Sequence, residues 1–389
     1  MRVLDGIRVI ELGTMITAPL AGMMLADLGA EVIKIERPEG DPFRSFRGGR
    51  YSPHFTAYNR NKKSVVLDLA TDDGRRALGL LLDSADVMLE NFRPGVLDRL
   101  GFGDAALQAR NPRLIRCAIT GFGTGGPYGS RPAFDAVASA LAGVSSLFID
   151  PENPQVSGPT ISDNVTGMYA CYGVLGALHE RHKSGRGRRI DVNMLEAAIA
   201  FIPDPFANQT LLGIKNEPKT RVATSQSFAA RCKDGKLLAI HLSSPVKFWD
   251  ALVTALRWPG LATDARFGSR DLRVRNYDAL AQELSQAFAT RPRAEWVVAL
   301  EAADVPFAPI QSIEEVFDDP QVRHLGTFYT VTHPTEGEIV GIHRPVRIDG
   351  ERDIGATPPP TLGEHTREVL AVVGCDEAMA TRMLARMSE

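Results

Sequence analysis

The residue in this chain best placed to do chemistry is a carboxylate at the head of an apolar helix. Asp163 lies in Val156-Ser157-Gly158-Pro159-Thr160-Ile161-Ser162-Asp163-Asn164-Val165-Thr166-Gly167-Met168, immediately before a helically periodic run. Two uses of it compete. As a cap it would accept hydrogen bonds from the first free N–H groups of the helix and gain from the helix dipole. As a nucleophile it would attack an activated carbonyl, because a carboxylate is ionised at neutral pH and can carry an acyl group as a mixed anhydride. Propensity alone favours the cap. The rest of the chain has to decide.

Other reactive side chains point nowhere as sharply. Cys117, Cys171, Cys232 and Cys375 lie far apart, without a CxxC pair or Cys/His ligand spacing, so no metal site is expected. Each reads as a reduced, mostly buried apolar residue of a cytoplasmic protein. The basic run Lys183-Ser184-Gly185-Arg186-Gly187-Arg188-Arg189 reads first as a solvated turn and second as a phosphate contact.

A length of 389 residues exceeds one comfortable hydrophobic core and predicts two domains. Apolar residues make up 44% and charged residues 23%, an ordinary soluble balance. A formal charge of −3 gives no general attraction to nucleic acid or anionic membrane. No signal peptide is evident, and the longest soft apolar run, Ala136 to Ile149, is too short to span a bilayer. The expectation is a soluble cytoplasmic protein without nucleic-acid or membrane partners.

The elements that must position Asp163 alternate between strand and helix. Strands are predicted at residues 7–12, 31–36, 64–69, 85–90 and 114–119. Helices are predicted from Pro19 to about Leu28, over 71–84 and 94–100, then over 164–182 and 192–212. This order argues for an α/β fold: a Rossmann-like open parallel sheet covered by helices, its first part spanning residues 1–205. The first βα turn carries Gly13 but lacks the later glycines of GxGxxG, so a nicotinamide or flavin site is not predicted. Beyond Lys215 the texture changes. A hairpin at 227–242 and helices at 248–256, 277–289 and 293–303 predict a smaller α+β domain over 215–325. Residues 326–389 carry short strands and helices that return to the large domain.

Eight stretches, in order from residue 4 to 366, then become legible together. They are Leu4-Asp5-Gly6-Ile7-Arg8-Val9-Ile10-Glu11, Leu28 to Pro38, Asn61 to Asp68, Ala85 to Gly95, Thr166-Gly167-Met168, Lys183 to Gly187, Asp304-Val305-Pro306, and Leu362-Gly363-Glu364-His365-Thr366. As an ordered set they resemble the class III coenzyme A transferases. That family includes formyl-CoA transferase and carnitine CoA-transferase, and it shares its fold with the alpha-methylacyl-CoA racemases.

The resemblance implies that Asp163 attacks an acyl-CoA thioester and passes through an aspartyl anhydride and an aspartyl-CoA thioester to a small organic, possibly dicarboxylic, acid. Coenzyme A is then a substrate, with no tightly bound cofactor. Arg37 resembles the arginine that meets the nucleotide end of CoA, although a solvated strand-end charge is an equal reading. Asn91 and Phe92 follow the carboxyl end of a strand, where an open parallel sheet places its ligands. Arg99, and more weakly Arg93, resemble phosphate-binding arginines. Thr17 occupies the first βα turn, where formyl-CoA transferases carry a glutamine-alanine pair. Their tetraglycine lid loop is missing too, and Thr224-Ser225-Gln226-Ser227 stands in its place. Both departures argue against formyl transfer.

The resemblance also implies an interlocked homodimer. A racemase of the same fold is the nearest alternative. It needs a histidine in a Gly-His-Asp sequence, where this chain has Pro132-Ala133-Phe134-Asp135. A non-catalytic CoA-binding protein is the other.

Overall fold

The computed structural model describes residues 1–46, 51–243, 246–352 and 355–388. Contacts divide the chain into two units, one of Met1–Ser145, Val156–Pro203 and Thr327–Glu389, the other of Ser146–Gln155 and Asp204–Gly326.

The first unit opens with β1 (Arg8–Glu11), α1 (Thr17–Asp27), β2 (Glu31–Glu36), α2 (Pro53–Tyr58), β3 (Lys62–Val66), α3 (Asp72–Asp83) and β4 (Val87–Glu90). It continues with α4 (Val96–Arg99), α5 (Asp104–Arg110), β5 (Ile115–Thr120), α6 (Asp135–Leu141), α7 (Ile161–Ser184), β6 (Arg189–Asn193) and α8 (Met194–Phe201). The strands form one sheet in the order β3-β2-β1-β4-β5-β6, with every neighbour parallel. This is the Rossmann-like sheet that the alternation of elements predicts.

Successive side chains of a strand point to opposite faces, and here both faces are apolar. Ile10, Ile33 and Met88 pack with Leu78 and Leu81 of α3 and with Leu370 of the helix Thr366–Val372. Val9, Val32, Leu89 and Cys117 pack on the other side with Leu25 of α1 and with Ala170 and Val174 of α7. The C-terminal segment is fastened to β3, where Val66 N donates to Thr366 Oγ1 at 3.0 Å and Gly363 N to Ser64 Oγ at 2.9 Å.

The structure departs from the sequence reading at four places. The helix carrying Asp163 begins at Ile161 with Thr160 as its N-cap, so Asp163 lies inside the first turn and is not the cap. Burial pulls that turn into the helix. Ser162 is fully buried, its hydroxyl 2.7 Å from that of Ser139 on α6, and Ile161 packs on Ala142, Val144 and Ala198.

The run expected as one helix over 192–212 is the end of β6, then α8, then a separate helix Pro203–Leu212, because the position before a proline disfavours helix. β6 escapes the sequence pattern because Arg189-Ile190-Asp191-Val192-Asn193 is a partly exposed edge strand with polar alternate positions. β3 starts two residues earlier than predicted, since Lys62 and Lys63 belong to it.

In the second unit β7 (Ser227–Arg231), β8 (Leu237–His241) and β9 (Phe307–Ile310) form an antiparallel sheet. Helices that include Lys247–Leu256, Tyr277–Phe288 and Arg293–Ala302 bury Trp249, Leu284 and Trp296 against it. The predicted hairpin is there, and β9 adds an unpredicted third strand. β10 (Phe328–His333) and β11 (Gly337–Ile342) pair antiparallel in the first unit.

α7 is fixed along its length. Near its carboxyl end the buried Arg181 reaches Asp86 Oδ1 at 2.8 Å and the carbonyl of Arg113 at 3.2 Å. In its first half Gly167 lies so close to α1 that a Cβ there would stand 2.8 Å from the carbonyl oxygen of Thr17 and 3.0 Å from Leu20. The glycine of Thr166-Gly167-Met168 is thus a contact that only a missing side chain permits. Gly167→Ala is expected to cost about 1–3 kcal/mol by overpacking, read as a lower midpoint in urea unfolding. An unchanged midpoint would show that the two helices can part freely.

Candidate active site

The carboxyl ends of β1 and β4, where the order of a doubly wound sheet reverses, are the expected place for a ligand. A cavity of about 580 Å³ lies there. The β1–α1 turn Thr14–Thr17 forms one wall, Asn91–Pro94 and Arg99 another, and the glycine-bearing loop 121–134 a third, with Asp163 between them. All of these belong to the first unit.

The Asp163 carboxylate accepts no hydrogen bond among the described residues, while its backbone N–H donates to Asp135 Oδ1 at 3.1 Å. Burial first, and then the Asp135 carboxylate, raise its carboxyl from the usual range to about 7. A partly buried acid that is left unbonded and poised near neutrality is suited to attack a carbonyl.

The turn facing Asp163 is held from below by buried charges. The Nζ of Lys34, on β2, is 2.8 Å from the Gly13 carbonyl, 3.0 Å from Glu11 Oε1 and 2.8 Å from Asp41 Oδ2. Burial alone would lower the Lys34 ammonium, but Asp41, Glu11 and Glu36 outweigh it and hold it above its ordinary value. Lys62, equally buried, lies 2.8 Å from Glu11 Oε2, and burial pushes it down to about 8. Asp41 in turn accepts the N–H of Met15 at 3.2 Å. Met15 has φ +66°, a left-handed conformation that a residue with a Cβ adopts at a cost its surroundings must offset. Gly13 is required here, because a Cβ would meet that of Ala18 at 2.2 Å.

The predicted site residues divide between two cavities. Thr17, Asn91, Phe92, Arg93 and Arg99 line the cavity that holds Asp163. Arg37 does not. It lines a neighbouring cavity of about 290 Å³, which Thr14 and Phe92 also border, and its Nε donates to Gly40 O at 3.1 Å.

Asn91 is a stitch between loops. Its Oδ1 accepts from Thr14 N at 3.0 Å, and its Nδ2 donates to Thr14 O at 2.8 Å and to the buried Thr17 Oγ1 at 3.0 Å. Arg93, Arg99 and Arg131 form no ion pair among the described residues, and Arg131 lies over the ring of Tyr128 at 4.1 Å.

Asp135, Arg131 and the Lys34 network escaped the sequence reading. Asp135 stands in Pro132-Ala133-Phe134-Asp135, a segment read for a missing histidine and not for its carboxylate. Glu90 is a further buried acid at the foot of this wall. Burial raises it to about 7, and its Oε2 accepts the N–H of Phe92 at 2.9 Å. No group of three or more His, Cys, Asp or Glu among the described residues is arranged to hold a metal ion.

A carboxyl raised on folding favours the folded state below its unfolded pKa, near 3.8, and loses that contribution as pH climbs through about 7. Asp163→Asn is therefore expected to raise the unfolding temperature by several degrees at pH 8 and far less at pH 4. An equal effect at both values would mean that Asp163 is not a desolvated acid.

The CoA-transferase family III model matches residues 4–366. A succinyl-CoA:glutarate CoA-transferase from Mus musculus is 35% identical over 394 residues, covering 99% of this chain and 89% of its own. A probable fatty acyl-CoA transferase of Mycobacterium tuberculosis is 35% identical over 390 residues, 95% of this chain and 97% of its own. The crystal structure of a CaiB/BaiF family protein from Brucella suis superposes with a TM-score of 0.84 at 31% identity, covering 95% of this chain and 99% of that one. With that match covering nearly the whole chain, the protein belongs to CoA-transferase family III.

Proposed function

We propose that the protein moves coenzyme A from an acyl-CoA to a small carboxylic acid through covalent adducts on Asp163. The observation that carries this reading is the Asp163 carboxylate itself, raised to about 7 and accepting no hydrogen bond among the described residues, on the wall of a cavity with three arginines that form no ion pair among those residues.

An Asp163 oxygen attacks the thioester carbonyl, the C–S bond breaks, and CoA leaves as thiolate from a mixed anhydride. The thiolate then attacks the aspartyl carbonyl, releasing the first acid as carboxylate and leaving an aspartyl-CoA thioester. An incoming carboxylate attacks that thioester, the C–S bond breaks to give a second mixed anhydride and free thiolate, and the thiolate attacks the new acyl carbonyl, so that the Asp163 carboxylate leaves and the new acyl-CoA is formed. Backbone N–H groups of the Gly121–Gly126 turn are the donors we assign to the oxyanions.

The same reading places the pantetheine arm beside Phe92, the CoA phosphates with Arg93 and Arg99, and the nucleotide toward Arg37. Asn91 and Thr17 shape the turn against which the thioester rests. Relatives named for succinyl-CoA and glutarate support dicarboxylic acids as substrates. A racemase is less well supported, because no histidine stands among the described residues that line the cavity, and two-base proton exchange needs a second base.

Exposed apolar side chains on α6 and α7 and just before α6, with Phe134 60% and Tyr172 74% exposed, support an obligate homodimer, which we take to be interlocked. No helix among the described residues is long and apolar enough to cross a membrane. Four free cysteines suit the reducing cytoplasm, where we place the protein.

The test is exchange between succinyl-CoA and glutarate followed by mass spectrometry, with hydroxylamine as a trap. The parent should form glutaryl-CoA and lose activity to hydroxylamine only when acyl-CoA is present, and Asp163→Ala should do neither. A hydroxylamine-sensitive, active Asp163→Ala protein would remove the mechanism. Arg99→Ala is expected to raise KM for acyl-CoA by roughly ten- to a hundredfold, as befits a lost charge-assisted hydrogen bond of about 1.5–3 kcal/mol, with kcat little changed. An unchanged KM would take Arg99 out of the CoA site.

A further inference from the structure

Two carboxylates share the start of α7. The first turn of a helix presents N–H groups without intrahelical partners, and Thr160 satisfies none of them through its side chain. Asp135, the first residue of α6, supplies an acceptor from outside, its Oδ1 3.1 Å from the backbone nitrogen of Asp163. The Ser139–Ser162 hydroxyl contact at 2.7 Å, buried on both sides, keeps α6 from swinging away. Asp135 thus takes the helix-start stabilisation that Asp163 would enjoy as a cap, and it holds a negative charge against the reacting carboxylate.

The other surroundings of Asp163 are neutral or cationic. Met15, Ile16 and Thr17 face the cavity from the β1–α1 turn, and Met194 from α8. Arg93 and Arg99 face it from the segment after β4, and Arg131 from the loop before α6. Tyr58 of α2 donates its hydroxyl to Asn164 Oδ1 at 3.4 Å. Asp135 is the one anion among the described residues that acts on Asp163.

We propose that Asp135 is a positioning residue of the transfer reaction, fixing the nucleophile's backbone through Oδ1 and favouring its acylation by charge repulsion. This rests on the reading of Asp163 as nucleophile. In the acylation step an Asp163 oxygen forms the new C–O bond, the C–S bond breaks, and the electron pair leaves on sulfur. The negative charge therefore moves from Asp163 to the thiolate. Repulsion between the two carboxylates is present before that step and absent in the neutral anhydride. It is absent again in the neutral aspartyl-CoA thioester. Asp135 accordingly stabilises both covalent adducts relative to the free enzyme.

Asp135→Asn keeps an acceptor oxygen and removes the charge, whereas Asp135→Ala removes both. The experiment measures the pH profile of kcat/KM for succinyl-CoA with glutarate, and the fraction of hydroxylamine-trapped enzyme, on full-length protein. In Asp135→Asn the acid limb is expected to move to lower pH on the order of one unit, as for loss of a neighbouring like charge. The trapped fraction should fall correspondingly, about tenfold. Asp135→Ala should show the same limb with a further loss of kcat and an unchanged KM for acyl-CoA.

An Asp135→Asn limb that coincides with the parent's overturns the proposal while Asp163→Ala is inactive. An active Asp163→Ala protein overturns the nucleophile reading instead. Should Asp135→Asn fail to fold, Asp135→Glu decides. It keeps the charge and must keep the parent's limb with reduced kcat, and a shifted limb there is equally fatal.

Discussion

The ammonium of Lys34, wholly buried on β2, binds the Gly13 carbonyl, Glu11 and Asp41 within 3.0 Å, and the β1–α1 turn takes its shape from those contacts. Breaking such a group by removing one partner strands the other charges without solvent, a loss of roughly 3–5 kcal/mol. From Asp41 the constraint passes to Met15, and from Gly13 to the start of α1. Asn91 then ties that turn to the loop after β4. On its other side Asp41 N donates to Glu36 Oε2 at 3.0 Å, and Glu36 receives Arg44 through two bonds of 2.7 Å. The reactive end of the sheet is therefore a continuous charged lattice whose members are nearly all inside the protein.

How much of this could be read from residues follows from the kind of force involved. β2 was legible to its ends because Glu31-Val32-Ile33-Lys34-Ile35-Glu36 is an apolar strand between turn residues. α3 announced itself through Thr71, whose hydroxyl accepts from Gly74 N at 3.1 Å. Burial of charge was not legible. Nothing local to Lys34, inside β2, or to Lys62, at the start of β3, marks either as buried, and only assembled strands show that Glu11 lies between them. β6 was hidden for a related reason, since an edge strand has no need of an apolar pattern on both faces.

Thr17, Asn91, Phe92, Arg93, Arg99 and Asp163 converge on one cavity although they span residues 17–163, because parallel strands bring their following loops to the same edge.

Asp163 shows the limit of reading a helix start from propensity. Asp before an apolar run is ordinarily a cap, and the sequence around 163 carries every local sign of one. What overrides those signs is Ser162 and Ile161 going into the core, which moves the helix start three residues back and turns the acid toward the cavity. The result is a charge placed where folding disfavours it. A cap lowers an acid's pKa and quiets it, whereas a desolvated acid beside another carboxylate is basic and reactive. The local conflict and the chemistry have one origin.

α7 is a 24-residue rod anchored near its far end by Arg181, along its first half by the Gly167 approach to α1, and at its tip by Ser162. Anything mounted on that tip is surveyed against three separate landmarks. Diversification within such a scaffold has to proceed through the loops that surround the tip, which can lengthen or change composition without disturbing its coordinates. A designer seeking new acyl preferences has the same freedom and the same prohibition: recut the rim, and leave the post alone.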